Sequence, residues 1–386
     1  MEGAARIAGW HSGIKEHLHR IFDETLHSKR IDSLADAALG VMGSASLAVS
    51  LIGHFLAEAR GLATKHATKQ VDRLLSNEGI DPWQLFAYWV PEQILHQKVI
   101  WIAMDWTDFS GDDQVTLALN LVTSHGRATP LVWLTVWKHE LKGTRNEWEY
   151  LCLRRLAAAL PEGVTVTILA DRGFGDHKLF EFIKKIGFEF VIRIRDNIFV
   201  TAVDGETRLA GDWVGKGGRA RTLRGARVTA DLAEVGTVVC VHAKGMKDPW
   251  CLVASDSKIS AREAINCYAK RWTIEPNFRD TKDIRFGMGL SKTHVNEPQR
   301  RDRLLLLNAF AISLLTLLGS AGESLGMDRM LKVNTVKRRT HSLFRQGWML
   351  YGLIPMMPEH RLRPLMQRFE ELLLQTRSFN HAFSTI

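Results

Sequence analysis

Tyr268, Arg271, Glu275 and Lys282 stand at offsets of 3, 7 and 14 residues within the stretch from Cys267 to Leu290, CYAKRWTIEPNFRDTKDIRFGMGL. On a helix, at about 100° per residue, those offsets return to within roughly 60° of one another, so one acid, two cations and a phenol share a face. The chemistry this suits is a metal-bound carboxylate flanked by phosphate-binding cations. A solvated helix face can also carry such charges without doing any chemistry. Two further acids close apolar runs: Asp105 ends IWIAMD and Asp171 ends VTILAD. Three carboxylates facing one point repel one another unless a cation stands among them. Two Mg²⁺ ions a few Å apart could then activate a water or a 3′-hydroxyl and stabilise the leaving oxygen during attack on a phosphodiester. Aspartate also commonly just ends a strand, so neither acid alone selects between these readings.

Bringing three such distant residues together is the task of the elements around them. Residues 1 to about 75 read as helical, with helices over 13–26, 33–39, 46–62 and 64–75 and a helix start at Ser33, followed by Asp36. Lys15, Arg20, Lys29, Arg30, Arg60, Lys65, Lys69 and Arg73 are strewn along this part, compatible with a helical DNA-binding module or with a small bundle carrying solvated charges. Asn77-Glu78-Gly79 and Asp81-Pro82 mark a boundary, and Pro82 to Leu95 reads as one more helix or a linker. Branched, apolar runs over 98–105, 114–123 and 129–137 read as strands; a helix over 146–160, a strand over 164–170, a helix to about Ile186 and a strand over 188–194 follow. Three strands, helix, strand, helix, strand is the element order of a ribonuclease-H-like α/β fold with a mixed sheet. In that fold the first and fourth strands are neighbours, and Asp105 would meet Asp171.

Short strands broken by Gly and Asp over 196–257 read as a β-rich insertion. It carries Lys216, Arg219, Arg221, Arg224 and Arg227 among Gly215, Gly217, Gly218 and Gly225, either a phosphate-contacting loop or a plain charge run. Ser260 starts the helix of the four-residue face. Pro276, directly after Glu275, lacks a helix donor, so either the helix bends there or a helix starts at Pro276 as its first-turn residue. The C-terminal part is helical again, with a second basic cluster of Lys332, Lys337, Arg338, Arg339 and Arg345. The expected organisation is a helical DNA-binding region over 1–80, a ribonuclease-H-like core in two parts over 81–195 and 259–320, the insertion over 196–258, and a helical C-terminal region over 321–386 for DNA contact or dimerisation.

Composition sets the outer limits. The 386 residues are 46% apolar, with a formal net charge of +9 and a pI near 9.4, an excess that suits a polyanion partner but that many ordinary enzymes also reach. Cys152, Cys240, Cys251 and Cys267 form neither a CxxC pair nor a zinc spacing and fit buried positions in a reducing cytosol. No basic-then-apolar targeting pattern opens the sequence. The uncharged runs Ala37 to Ala57 and Leu304 to Gly322 read as buried helices, not membrane spans, because the first is diluted by Gly, Ser and His and Asn308 interrupts the second.

The three acid motifs together resemble the DDE transposases of bacterial insertion sequences, and more closely the "insertion sequence four" family with its Y-(2)-R-(3)-E-(6)-K signature. Tyr268, Arg271, Glu275 and Lys282 match that spacing without a gap, and YAKRWTIEPNFRDTK is similar to the family's Y-x-x-R-W-x-I-E-x-x-F-R-x-x-K. MDWTDF, with Asp105 and Thr107, and ADRGF at Asp171 resemble the first and second acid motifs; Leu74-Leu75-Ser76-Asn77 and SLFRQG resemble family text more weakly. The resemblance implies that Asp105, Asp171 and Glu275 hold two divalent ions, Mg²⁺ or in its place Mn²⁺. It implies that Arg271 and Lys282 grip backbone phosphates and that Tyr268 hydrogen-bonds to one. Trp250, in PWCLVASD, resembles the tryptophan that stacks on a flipped base in hairpin-forming members; Trp272 is the other candidate, or else a core residue. Arg172 is a phosphate ligand or a partner of Asp171. The implied protein is cytoplasmic and nucleoid-associated. It is a cut-and-paste transposase acting on double-stranded DNA as a homodimer on paired ends. A catalytically inactive DNA-binding regulator and a structure-specific nuclease of the same fold are the competing expectations.

Overall fold

A computed structural model describes residues 2–333 and 335–375. Helices α1 (Glu2–Phe22), α2 (Ser28–Ser44), α3 (Val49–Arg60), α4 (Thr64–Leu75) and α5 (Pro82–Ile94) come first. The expected helix start at Ser33 is absent: α2 begins at Ser28, capped by the His27 side chain, and the Ser33 hydroxyl donates to the Lys29 carbonyl inside the helix. A serine can satisfy its hydroxyl four residues back along a helix, so a capping residue type does not by itself mark an end. The uncharged run from Ala37 is split between α2 and α3, which bend by 100° at the break. At α5 the Asp81 carboxylate accepts the Trp83 N–H and Pro82 occupies the first turn.

Strands β2 (Gln114–Val122), β3 (Ala128–Trp137), β4 (Thr165–Ala170) and β5 (Glu189–Ile194) fall close to the expected ranges, with α6 (Arg145–Ala159) before β4 and α7 (His177–Lys185) after it. Strand β1 (Val99–Phe109) does not end at Asp105: antiparallel pairing with β2 carries it four residues further, to Phe109 opposite Gln114. Then come β6 (Phe199–Thr201), β7 (Thr207–Leu209), β8 (Arg221–Arg224), β9 (Arg227–Val228), β10 (Ala233–Glu234), β11 (Thr237–Val241) and β12 (Trp250–Ala254). One large mixed sheet runs in the order β3-β2-β1-β4-β5-β12-β11-β8, and a small one in the order β10-β9-β6-β7. β1, β4 and β5 are parallel; the other neighbours in the large sheet are antiparallel. The β-rich segment is therefore divided: three of its strands continue the central sheet and four stand apart. β2 is buried along its whole length, as a strand covered on both faces must be.

Alternation along the strands sends residues to two cores. Ile102, Met104, Ile168, Ala170, Phe190 and Ile192 belong to the larger one, together with α6 and α7 side chains such as Leu153 and Phe180. Ala103, Leu169, Val191, Val239 and Leu252 face the other way and pack with Ala264, Tyr268 and Ile274 from α8 (Ala261–Lys270) and α9 (Ile274–Lys282). Helix α10 (Pro298–Ser324) is long and apolar enough to cross a membrane, yet 72% of its most apolar window is buried inside the protein. Its charged start is buried too. Fully buried Arg301 donates to Gln114 Oε1 at 2.7 Å and pairs with Asp112, and Arg303 donates to the Ile80 and Leu75 carbonyls at 2.8 and 3.0 Å. These bonds tie α10 to the sheet and to the N-terminal helices. Helices α11 (Leu343–Leu353) and α12 (Glu359–Gln375) complete the described chain.

Candidate active site

The site begins with strand register. Met104 of β1 pairs with Ala170 of β4, so the next residues, Asp105 and Asp171, emerge side by side from parallel neighbours. Ala170 pairs in turn with Ile192 of β5, which brings Arg193 into the same row. With strands about 4.8 Å apart, two acids and a guanidinium form one row across β1, β4 and β5 on one face of the sheet. Asp171 also accepts the Gly173 N–H at 2.7 Å, which caps the short turn carrying exposed Arg172.

Glu275 arrives from a broken helix, not the continuous one the four-residue face assumes. Ser260 starts α8 as expected, in a reciprocal cap with Glu263, but α8 stops at Lys270. A tight 3₁₀ turn covers Arg271–Thr273, and α9 restarts at Ile274, leaving Pro276 in its first turn, where a missing N–H costs nothing. Two of the four motif residues, Arg271 and Lys282, accordingly bond to β1, at separate points. Arg271 Nη1 donates to Asp105 Oδ2 at 3.0 Å and Nη2 to Glu275 Oε1 at 3.1 Å, with the buried Tyr268 ring 6.0 Å from the guanidinium carbon. Lys282 lies further along β1, donating to Thr107 Oγ1 at 3.1 Å and to the Asp108 carbonyl at 2.5 Å, over the Phe109 ring. Burial holds its ammonium below the usual lysine range.

The three acids form one electrostatic unit. Burial lifts the Asp105 carboxyl to about 6; Arg271 opposes the rise, and the charges of Asp171 and Glu275 add to it. Because the folded state holds this proton more tightly than the unfolded chain, the contribution of the Asp105 carboxyl to the stability of the metal-free protein falls as pH climbs from about 4 to about 6. Asp105→Asn is expected to stabilise the metal-free protein by about 2 kcal/mol at pH 7 and by little at pH 4. Urea melts at the two pH values check this, and equal shifts at both would contradict it.

Among the described residues, no three His, Cys, Asp or Glu side chains stand close enough together to share one ion. A guanidinium bridges Asp105 and Glu275 instead. The donor chemistry nevertheless fits: carboxylate oxygens suit Mg²⁺ and Mn²⁺, and Asp105, Asp171 and Glu275 are the residues that would hold such ions.

Several contributors escape a sequence reading. Arg193 donates to the Pro249 carbonyl at 3.0 Å, and its buried Nε has no hydrogen-bond partner among the described residues. Its one sequence signal is a cation at an inward-facing position of FEFVIRI. Behind the acids, the Arg145 guanidinium lies between the Trp106 and Phe174 rings, at 5.8 and 5.2 Å, and bonds to buried Glu149, which also accepts the Trp106 indole N–H at 3.0 Å. Trp106 follows Asp105 and Phe174 follows Asp171 by three residues, so this group braces the backbone beside both aspartates from the opposite face. An i,i+4 Arg/Glu pair in α6 was its only trace in the sequence.

Other candidates lie elsewhere. Trp250 packs edge-on to Tyr268, ring centres 4.9 Å apart. Trp272 is 68% exposed, against the reading that it packs into the core: the 3₁₀ turn shifts the helical phase and points it outward. Arg219, Arg221 and Arg224 are exposed at or beside β8, four strands from β4, or about 19 Å at sheet spacing. The Lys216 side chain lies outside the described residues. In the second basic cluster Lys332 pairs with Asp328 and Arg339 with Glu323. In the N-terminal region a cleft of about 450 Å³ is lined by Lys15, Lys29, Arg30, Arg60 and Arg73, with Asp32 and Asp36 among them.

A family model of the transposase DDE domain matches residues 138–314, from the residue after β3 to within α10. Asp171 and Glu275 fall inside that segment and Asp105 lies upstream of it. The match supports a DDE transposase, an enzyme whose substrate is DNA and whose family generally uses divalent metals. None of the curated proteins compared matches the chain.

Proposed function

We propose that this chain is a cut-and-paste DNA transposase of the "insertion sequence four" type, built on a ribonuclease-H-like core. The observation that carries the reading is the meeting of Asp105, inside β1, and Asp171, just past the end of its parallel neighbour β4, with Arg271 and Glu275 from the α8–α9 joint. The strand order β3-β2-β1-β4-β5 supports the core assignment. In this reading the protein pairs two transposon ends as a homodimer, cuts them, and transfers their 3′ ends to target DNA in the bacterial cytoplasm. Asp105, Asp171 and Glu275 would hold divalent ions, which would supply Lewis acidity at the scissile phosphate and activate a water or 3′-hydroxyl. Arg271, Arg193 and Lys282 present fixed donors to phosphates on either side of the acids. The sheet and the Arg145–Glu149 brace hold the two aspartates in place. The N-terminal cleft and the β8 arginines are candidates for phosphate contact away from the cut.

Exposed Trp272, beside Arg271, is open to an unstacked base, as is the uncovered part of half-buried Trp250, which packs edge-on to Tyr268. Trp272→Ala is expected to slow a hairpin or second-strand step about tenfold while sparing the first nick, and Trp250→Ala to lower thermal stability. Denaturing-gel time courses check this; an unaffected second step in Trp272→Ala would remove the residue from the role. The proposal as a whole is tested by joining. Labelled end fragments incubated with Mg²⁺ and an unrelated plasmid should become covalently attached to it. Cuts without joined products would indicate a nuclease instead.

A further inference from the structure

Arg271 occupies the position where a cation between the acids belongs. Its two terminal nitrogens are spent on Asp105 and Glu275 at 3.0 and 3.1 Å, and it is 8% exposed although the Glu275 side chain is 43% exposed. It sits in the 3₁₀ turn joining α8 to α9, a geometry whose hydrogen bonds are poorer than those of the flanking helices and which often marks a hinge. Its neighbour Lys270 faces elsewhere, with its ammonium 3.4 Å from the centre of the Trp101 ring. A guanidinium that matches carboxylate in a fork matches phosphate equally well.

We propose that Arg271 is an internal counter-ion that keeps the acids from gathering a divalent ion until DNA is bound. Building on the transposase reading, a backbone phosphate at the site draws the guanidinium away from Asp105 and Glu275, and the freed carboxylates then close on metal with Asp171. The exchange is reciprocal: metal binding expels Arg271 toward the DNA, so each ligand strengthens the other. The consequence is protection against metal-loaded, DNA-free enzyme, which would cut indiscriminately.

The test uses full-length protein without DNA and Mn²⁺ alone as the probe, its free concentration read by electron paramagnetic resonance. Arg271→Gln is expected to bind Mn²⁺ about tenfold more tightly than wild type, and Lys270→Gln, which removes the adjacent charge but no bridge, to stay within about twofold. An Arg271→Gln affinity equal to or below wild type overturns the proposal. So does an equal gain in Lys270→Gln, which would reduce the effect to general charge. If Arg271→Gln does not fold, Arg271→Lys replaces it: a point charge cannot span two carboxylates as the fork does, so Mn²⁺ should again bind more tightly, and wild-type affinity would overturn the idea. Failure of every protein to bind Mn²⁺ would overturn the metal-site reading itself. Binding by wild type without gain in the Arg271 variants would overturn only this inference.

Discussion

Replacing Glu275 by Gln, or Asp105 or Asp171 by Asn, is expected to lower Mg²⁺-dependent DNA cleavage by at least about a thousandfold while leaving DNA affinity within a few-fold of wild type. Each change keeps the side chain's shape and removes one anionic oxygen donor, so the loss falls on the chemistry and not on the fold. Affinity is spared because the groups offered to phosphate, Arg271, Arg193 and Lys282, remain, and one charge that repels the backbone is gone. In Asp105→Asn and Glu275→Gln the guanidinium also loses an ionic partner, which favours a modest gain in binding. Single-turnover cleavage and gel-shift titrations separate the two quantities. A variant that still cut at near wild-type rate would expel that acid from the catalytic set.

The largest expected effect on stability lies at the crossing of α10 and α11. A Cβ added at Gly347 would lie 1.7 Å from the Leu315 carbonyl oxygen, and one at Gly319 would lie 1.9 Å from that of Leu343. Both obstacles are backbone atoms of the facing helix, with no rotamer to turn aside, so the helices would have to separate. Gly347→Ala or Gly319→Ala is expected to cost at least about 3 kcal/mol. Gly352, also in α11, has nothing within 4 Å of such an atom, and its alanine variant should be neutral or stabilising by under about 1 kcal/mol. Chemical denaturation of the three variants checks the ordering, and an unperturbed Gly347→Ala would contradict the packing. The effect bears on the site as well, because α10 supports α9 through the Asn308–Thr281 hydrogen bond.

The strands and the two aspartates were legible because local signals carry them. Branched apolar runs bounded by Gly, Asp and Ser announce β1 to β5, and Asp105 and Asp171 stand out as the polar residues closing IWIAMD and VTILAD, although β1 itself runs on past Asp105 to Phe109 through its pairing with β2. Pro276 flagged a disturbance in the helix that carries Glu275. It did not say that the break falls earlier, at Arg271–Thr273, because that position depends on how α8 and α9 pack against the sheet. Exposed Trp272 follows from the same break. Arg193 was hidden because its place beside Asp171 depends on the β4–β5 register, a contact between residues distant in sequence. Non-local pairing also decides that β12, β11 and β8 extend the central sheet, which no run of alternating residues can reveal. Ser33 misled in the opposite way, since its hydroxyl is as content inside a helix as at its end.

The central claim, that these acids cut DNA ends, is most directly tested by incubating the protein and Mg²⁺ with DNA carrying the native flanks of its reading frame and mapping every break at nucleotide resolution. Discrete cuts at inverted repeats, absent in Glu275→Gln and Asp171→Asn, are the expected result. Tight binding to those ends with no cuts under Mg²⁺ or Mn²⁺ would contradict it and leave a DNA-binding protein without catalysis.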